Sequence, residues 1–89
     1  MSSPTRIASA GNVMASALAV LKQAGYEVTL VAGGSYFQAV KGESCCLTAE
    51  DPLLLLGLAK LFEVRGGEWE PSDAEIDQFL ALEAGEDGA

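Results

Sequence analysis

The sequence contains no histidine. That absence removes the commonest general base, the Ser-His-Asp and Cys-His nucleophile systems, and the commonest zinc ligand. Cysteine is nearly as scarce: Cys45 and Cys46 are the only two, and they are adjacent. Neighbouring Cα atoms lie about 3.8 Å apart, whereas an ordinary disulfide needs roughly 4.4–6.8 Å. A disulfide framework within one chain is therefore excluded, and two adjacent thiols do not make a four-ligand zinc site. On a strand their sulfurs also point to opposite faces. No apolar run approaches the roughly 18 residues that a membrane span needs. The opening Met1-Ser2-Ser3-Pro4-Thr5-Arg6 is polar and unlike a signal peptide. Unpaired cysteines and no secretory segment lead to an expected cytoplasmic location.

Positive charge is the other shortage. Five Lys and Arg face thirteen Asp and Glu, for a net charge of −8. The imbalance is local. From Met1 to Leu47, Arg6, Lys22 and Lys41 balance Glu27 and Glu43. From Glu63 onward nine acidic residues face Arg65 alone. Phosphate backbones are held by Lys and Arg, so neither nucleic acid nor an anionic membrane is an expected partner. A basic protein partner would be steered toward the acidic third.

What the 89 residues do contain is enough for one small domain with a thin core. The expected organisation is a flexible N-terminus over 1–11, a single α+β domain over 12–83, and an acidic flexible tail over 84–89. Within the domain, Asn12 to Ala24 reads as a helix. Met14, Ala17, Leu18 and Leu21 form its stripe, Asn12 is its N-cap, and Gly25 is free to take the left-handed turn after it. Tyr26 to Ala32 alternates as a half-buried strand, with Tyr26, Val28 and Leu30 on one face. Gly33-Gly34 gives a two-residue hairpin turn, pairing Val31 with Tyr36, Leu30 with Phe37 and Val28 with Ala39. At Lys41-Gly42 a three-residue loop pairs Phe37 with Leu47 and Ala39 with Cys45. That register buries Leu47 and Cys45 and leaves Cys46 outside, near Val40 and Gln38.

Thr48 to Gly66 reads as the central helix, with Leu54, Leu55, Leu58, Leu61 and Phe62 as its main stripe. Leu53, Leu56 and Val64 extend it sideways without an assigned cover. Thr48-Ala49-Glu50-Asp51 resembles a capping box; the alternative start has Asp51 as N-cap and Pro52 as the first helical residue. Ser72-Asp73-Ala74-Glu75 is a second capping box, opening a short helix with Ile76, Phe79 and Leu80. The expected fold is thus α+β in the order α-β-β-β-α-α, a three-stranded antiparallel meander packed on the leucine-rich helix and the N-terminal helix.

This element order resembles the double-stranded RNA-binding domain over about Asn12 to Arg65. That family holds phosphates with a basic cluster at the start of its second long helix. Here that place reads Thr48-Ala49-Glu50-Asp51-Pro52, which is acidic, so the resemblance implies topology and not RNA binding.

No motif assigns a reaction, a cofactor or a metal. Glu50 with Asp51, and Asp73 with Glu75 and Asp77, are accounted for by helix starts. Gly33-Gly34-Ser35 precedes a strand and is not a nucleotide-binding loop. The candidate contact residues are Trp69 with Arg65, Glu68, Glu70 and Asp73. A Trp beside an Arg suits a partner anchor, and it equally suits a cover for the end of the preceding helix. The expected function is a small non-catalytic interaction domain with a protein partner. The alternatives are a homodimer through the leucine-rich helix, and a thiol-based redox or metal-binding role for Cys45 and Cys46.

Overall fold

The computed structural model describes residues 3–8 and 10–85. Its order is α1 (Val13–Gln23), β1 (Glu27–Val31), β2 (Tyr36–Lys41), β3 (Cys45–Ala49), α2 (Pro52–Arg65) and α3 (Asp73–Glu83). The strands form one antiparallel sheet in the order β1-β2-β3. This is the α+β arrangement that the periodicities imply. Residues 3–8 are exposed and belong to no helix or strand. The tail over 84–89 lies, from residue 86 on, outside the described residues.

α1 ends through its backbone. Gly25 sits at φ +97°. Its N–H donates to the Lys22 carbonyl at 3.0 Å, and the Tyr26 N–H donates to the Leu21 carbonyl at 3.0 Å. This pair of bonds satisfies the last carbonyls of the helix and turns Tyr26 back over Leu21. Both residues are buried in the same core cluster. The start of α1 departs from expectation: Asn12 has helical dihedrals and its side chain makes no capping bond.

The first hairpin has the expected pairs Val31–Tyr36, Leu30–Phe37 and Val28–Ala39. Its turn is a four-residue loop and not a two-residue one. The chain takes a 3₁₀ turn over Ala32–Gly34, and the Ser35 N–H donates to the Val31 carbonyl at 3.1 Å. Opening Ala32 and Ser35 leaves every outer pair unchanged.

The second hairpin is shifted. Ala39 pairs with Leu47, Lys41 with Cys45, and Phe37 with Ala49. The three-residue loop is there, but it spans residues 42–44, with Gly42 at φ +55° and Ser44 closing onto the Lys41 carbonyl. The slide is two residues, so every side chain keeps its expected face. Leu47 and Cys45 pack against the core, and Cys46 lies outside, where the Gln38 amide donates to its Sγ at 3.2 Å.

The slide also lengthens β3 into Thr48 and Ala49, so Thr48 does not cap the helix. Asp51 is the N-cap, its carboxylate accepting from the Leu54 N–H at 2.8 Å, and Pro52 is the first helical residue. Pro52 has no N–H to lose there. α1 packs on α2, and α2 packs on β3 and β2. The core is Leu21, Tyr26, Ala39, Leu55 and Ala59, with Val28, Phe37, Cys45, Leu47, Ala49 and Leu56 against it.

α2 is rotated from its expected orientation. Pro52, Leu55 and Ala59 are the buried residues, while Leu54 and Leu61, placed in the main stripe by sequence, are exposed. At 100° per residue, Leu54 and Leu61 fall nearly opposite Ala59. Small side chains explain the choice: Ala17, Ala39 and Ala59 are all buried and let the helices approach the sheet closely. Leu30 is a second exception. It shares the core face but lies beside the open turn, and it is exposed. Of the three leucine-helix residues without an assigned cover, Leu56 is half-buried against the core, Leu53 is half-buried, and Val64 is 69% exposed.

Candidate interaction surface

α3 is a well-formed helix that contributes no buried residue. Its start is strongly specified. The Ser72 hydroxyl accepts from the Glu75 N–H at 3.2 Å, and the Glu75 carboxylate accepts from the Ser72 N–H at 2.9 Å. The same carboxylate takes both arms of Arg65. Nη1 donates to Oε1 at 3.0 Å, and Nη2 pairs with Oε2. Arg65 also donates to the Glu70 carbonyl at 3.4 Å. The Arg65 bonds first, and the Ser72 backbone second, hold the Glu75 carboxyl at about 2, below its usual range. Arg65 itself is raised by the same bond. At the C-terminal end of α2, its charge also suits the negative pole of that helix.

Beyond this clamp, α3 has no extensive packing on another element among the described residues. Ile76, Phe79, Leu80 and Leu82 are all exposed, Phe79 at 58%. By helical spacing Ile76, Phe79 and Leu80 share one face. An isolated helix of 11 residues is marginal in water. Here the capping box and the Arg65 clamp supply locally what packing supplies for α1 and α2.

The sequence-based contact residues separate into two groups. Arg65 is engaged within the chain, linking α2 to the connector and to α3. Glu68, Glu70 and Asp73 are exposed around it. Trp69 is half exposed, at 52%, and walls a cavity of about 390 Å³ between β3 and the end of α2. Leu47, Leu58, Leu61, Phe62 and Cys45 line that cavity. Trp69 thus borders the end of α2 without closing it. The cavity is mostly apolar and carries no charged side chain.

A second cleft, of about 730 Å³, opens on the other side of Phe62. Val20, Leu21, Ala24, Tyr26, Leu56 and Ala59 line it, with Lys41, Lys60 and Glu63 at its edge. Lys41 lies 5.5 Å from the centroid of the Tyr26 ring, a cation–π distance, and Lys60 pairs with Glu63 at 3.3 Å. Burial, then contact with Cys45 at 4.0 Å, raises the Tyr26 hydroxyl above its ordinary value. Sequence reading missed this cleft. Lys41 falls in a strand whose alternation puts it on the core face, and that signal was available.

The thiols are both free, Cys45 half-buried and Cys46 exposed. Among the described residues, no three His, Cys, Asp or Glu side chains converge as a metal site would require. Among the described residues, no helix is long and apolar enough to cross a membrane. Compared with known proteins, the chain matches no family model, no curated protein and no solved structure.

Proposed function

We propose that this chain is a non-catalytic protein-interaction module whose docking element is its acidic C-terminal third, α3 together with Trp69. One observation carries the reading: a capped, clamped helix holds Ile76, Phe79 and Leu80 together on a face left exposed among the described residues. Exposed apolar side chains grouped on one face mark interaction sites, whereas scattered ones do not. Asp73 and Asp77 flank one edge of that face and Glu83 continues it at its C-terminal end, so the fitting partner is a protein surface with an apolar groove and basic edges. The free cysteines suit a cytoplasmic setting. The excess of carboxylates argues against nucleic acid and anionic membranes as partners.

The test is cross-linked capture from native cells with the full chain, at low and high salt, beside a Phe79→Ala, Leu80→Ala variant. The expected result is a salt-sensitive complex that the variant does not form. Failure to retain any partner at low salt, or a complex indifferent to both salt and the α3 carboxylates, sinks the reading.

A second reading rests on the outer side of α2, where Leu54, Leu61 and Val64 are exposed together. That side is a candidate self-association face. Leu61→Glu is expected to leave the fold intact and to abolish any dimer made through it, as read by sedimentation. A thiol role for Cys45 and Cys46 has the least support, since their side chains lie on opposite faces of the sheet. A Cys45→Ser, Cys46→Ser variant with unchanged behaviour removes it.

A further inference from the structure

The chain carries an apolar cleft with cationic side chains at its edge, and an apolar helix face with carboxylates beside it. The cleft between α1 and α2 has an apolar floor of Val20, Leu21, Leu56 and Phe62, and Lys41, Lys60 and Glu63 stand at its edge, Glu63 paired with Lys60. α3 offers the complement: Ile76, Phe79 and Leu80 on one face, Asp73, Asp77 and Glu83 beside it, and no basic residue. Placing these carboxylates against Lys41, and against Lys60 in exchange for its exposed Glu63 partner, pairs opposite charges around an apolar centre.

No residue of the same chain's α3 lines this cleft. Leu56, Ala59, Lys60 and Glu63 face the cleft from one side of α2. Arg65, which grips Glu75, projects from nearly the opposite side at 100° per residue. While that clamp holds, α3 starts on the far side of α2 from the lysines. Pairing α3 with α3 of another copy is also disfavoured, because it would bring Asp73, Asp77 and Glu83 against their own equivalents.

We propose, building on the reading of α3 as the docking element, that α3 of one chain seats in the α1–α2 cleft of a second copy, and that the exchange is reciprocal. Such a contact is two-fold symmetric and closes at the dimer.

The test is sedimentation velocity on the full chain across a concentration series, with far-UV circular dichroism to check the fold. The wild type is expected to pass from monomer to dimer. Phe79→Ala with Leu80→Ala is expected to stay monomeric at every concentration, with its helical signal kept, because both side chains are exposed in the single chain. A cleft variant (Lys41→Glu, Lys60→Glu) and an arm variant (Asp77→Lys, Glu83→Lys) are each expected to lose self-association. Mixed in equal amounts, they are expected to regain it, since each arm then meets a cleft of opposite charge. A wild type that stays monomeric at high micromolar concentration overturns the proposal, as does a dimer that survives the Phe79, Leu80 substitutions. A mixture that fails to re-associate overturns the charge pairing. If the wild type is monomeric but the same arm substitutions abolish a salt-sensitive complex in the capture experiment, the exchange fails and the interaction reading stands. If both are null, both fall.

Discussion

α2 and α3 are joined by residues 66–72, yet they treat similar apolar stripes in opposite ways. α2 sinks Leu55 and Ala59 into a core shared with α1 and the sheet. α3 leaves Ile76, Phe79 and Leu80 outside and is fixed at its first turn by Ser72, Glu75 and Arg65. The contrast extends to the caps. α1, which is packed, has no side-chain cap, whereas α3, which is not, has the complete reciprocal box. A helix held by tertiary contacts tolerates weak ends; a helix standing on its own needs its orphan N–H groups satisfied.

The comparison breaks first at the core. Leu55→Ala is expected to destabilise the body by about 2–5 kcal/mol, because it deletes one of the two largest fully buried side chains. Phe79→Ala, measured at dilution by urea unfolding, is expected to change stability by less than about 0.5 kcal/mol. Equal losses would mean that α3 belongs to the core.

Glycine substitutions sharpen the distinction next. Gly25→Ala forces a Cβ onto a φ of +97° at the end of α1, and is expected to cost about 1–2 kcal/mol in chemical denaturation. Gly57→Ala has the opposite expected sign. Its added Cβ meets nothing within 4 Å in the middle of α2, so the helix gains roughly 0.5–1 kcal/mol. A loss there would place a close neighbour on that open face.

Ser72→Ala is expected to fray α3 by about 1 kcal/mol while leaving the body unchanged, as read by amide hydrogen exchange at Glu75 and Ile76. The smallest effect is that of pH. Glu75 is held at about 2 in the folded chain, below its ordinary 4.5. Its contribution is therefore complete above the unfolded value and is lost as pH falls through the folded one. Protection of the first turn of α3 is expected to decline between about pH 4.5 and 2. Glu75→Gln is expected to remove that pH dependence. A solvent-exposed pair contributes little to global stability, so the unfolding midpoint of the body should hardly follow it.

Much of this fold is legible from the residues. The alternation of Tyr26, Val28 and Leu30 fixes a face, and the Gly25 and Gly66 stops sit where the helices end. Ser72 with Glu75 announces α3. Around the candidate surface, the sequence singles out Trp69 and Arg65 but not their different roles. Trp69 borders a cavity, while Arg65 is spent on an internal clamp whose partner lies ten residues away. No local pattern encodes that pairing. Lys41 is a different case: the alternation of β2 places it on the same face as buried Ala39, so its position at the cleft follows from a local pattern.

The sequence by itself determined the order of the helices and strands, which strand residues face together, and how α3 begins, because these depend on bonds and spacings within a few residues. The tertiary structure decided three things. It slid β3 by two residues, a change that a period-two pattern cannot detect. It chose which side of α2 to bury, because a helix with leucines all round carries no directional signal and the fit of Ala17, Ala39 and Ala59 settles it. And it left α3 uncovered, because an amphipathic stripe states that a face is apolar and says nothing about what will meet it.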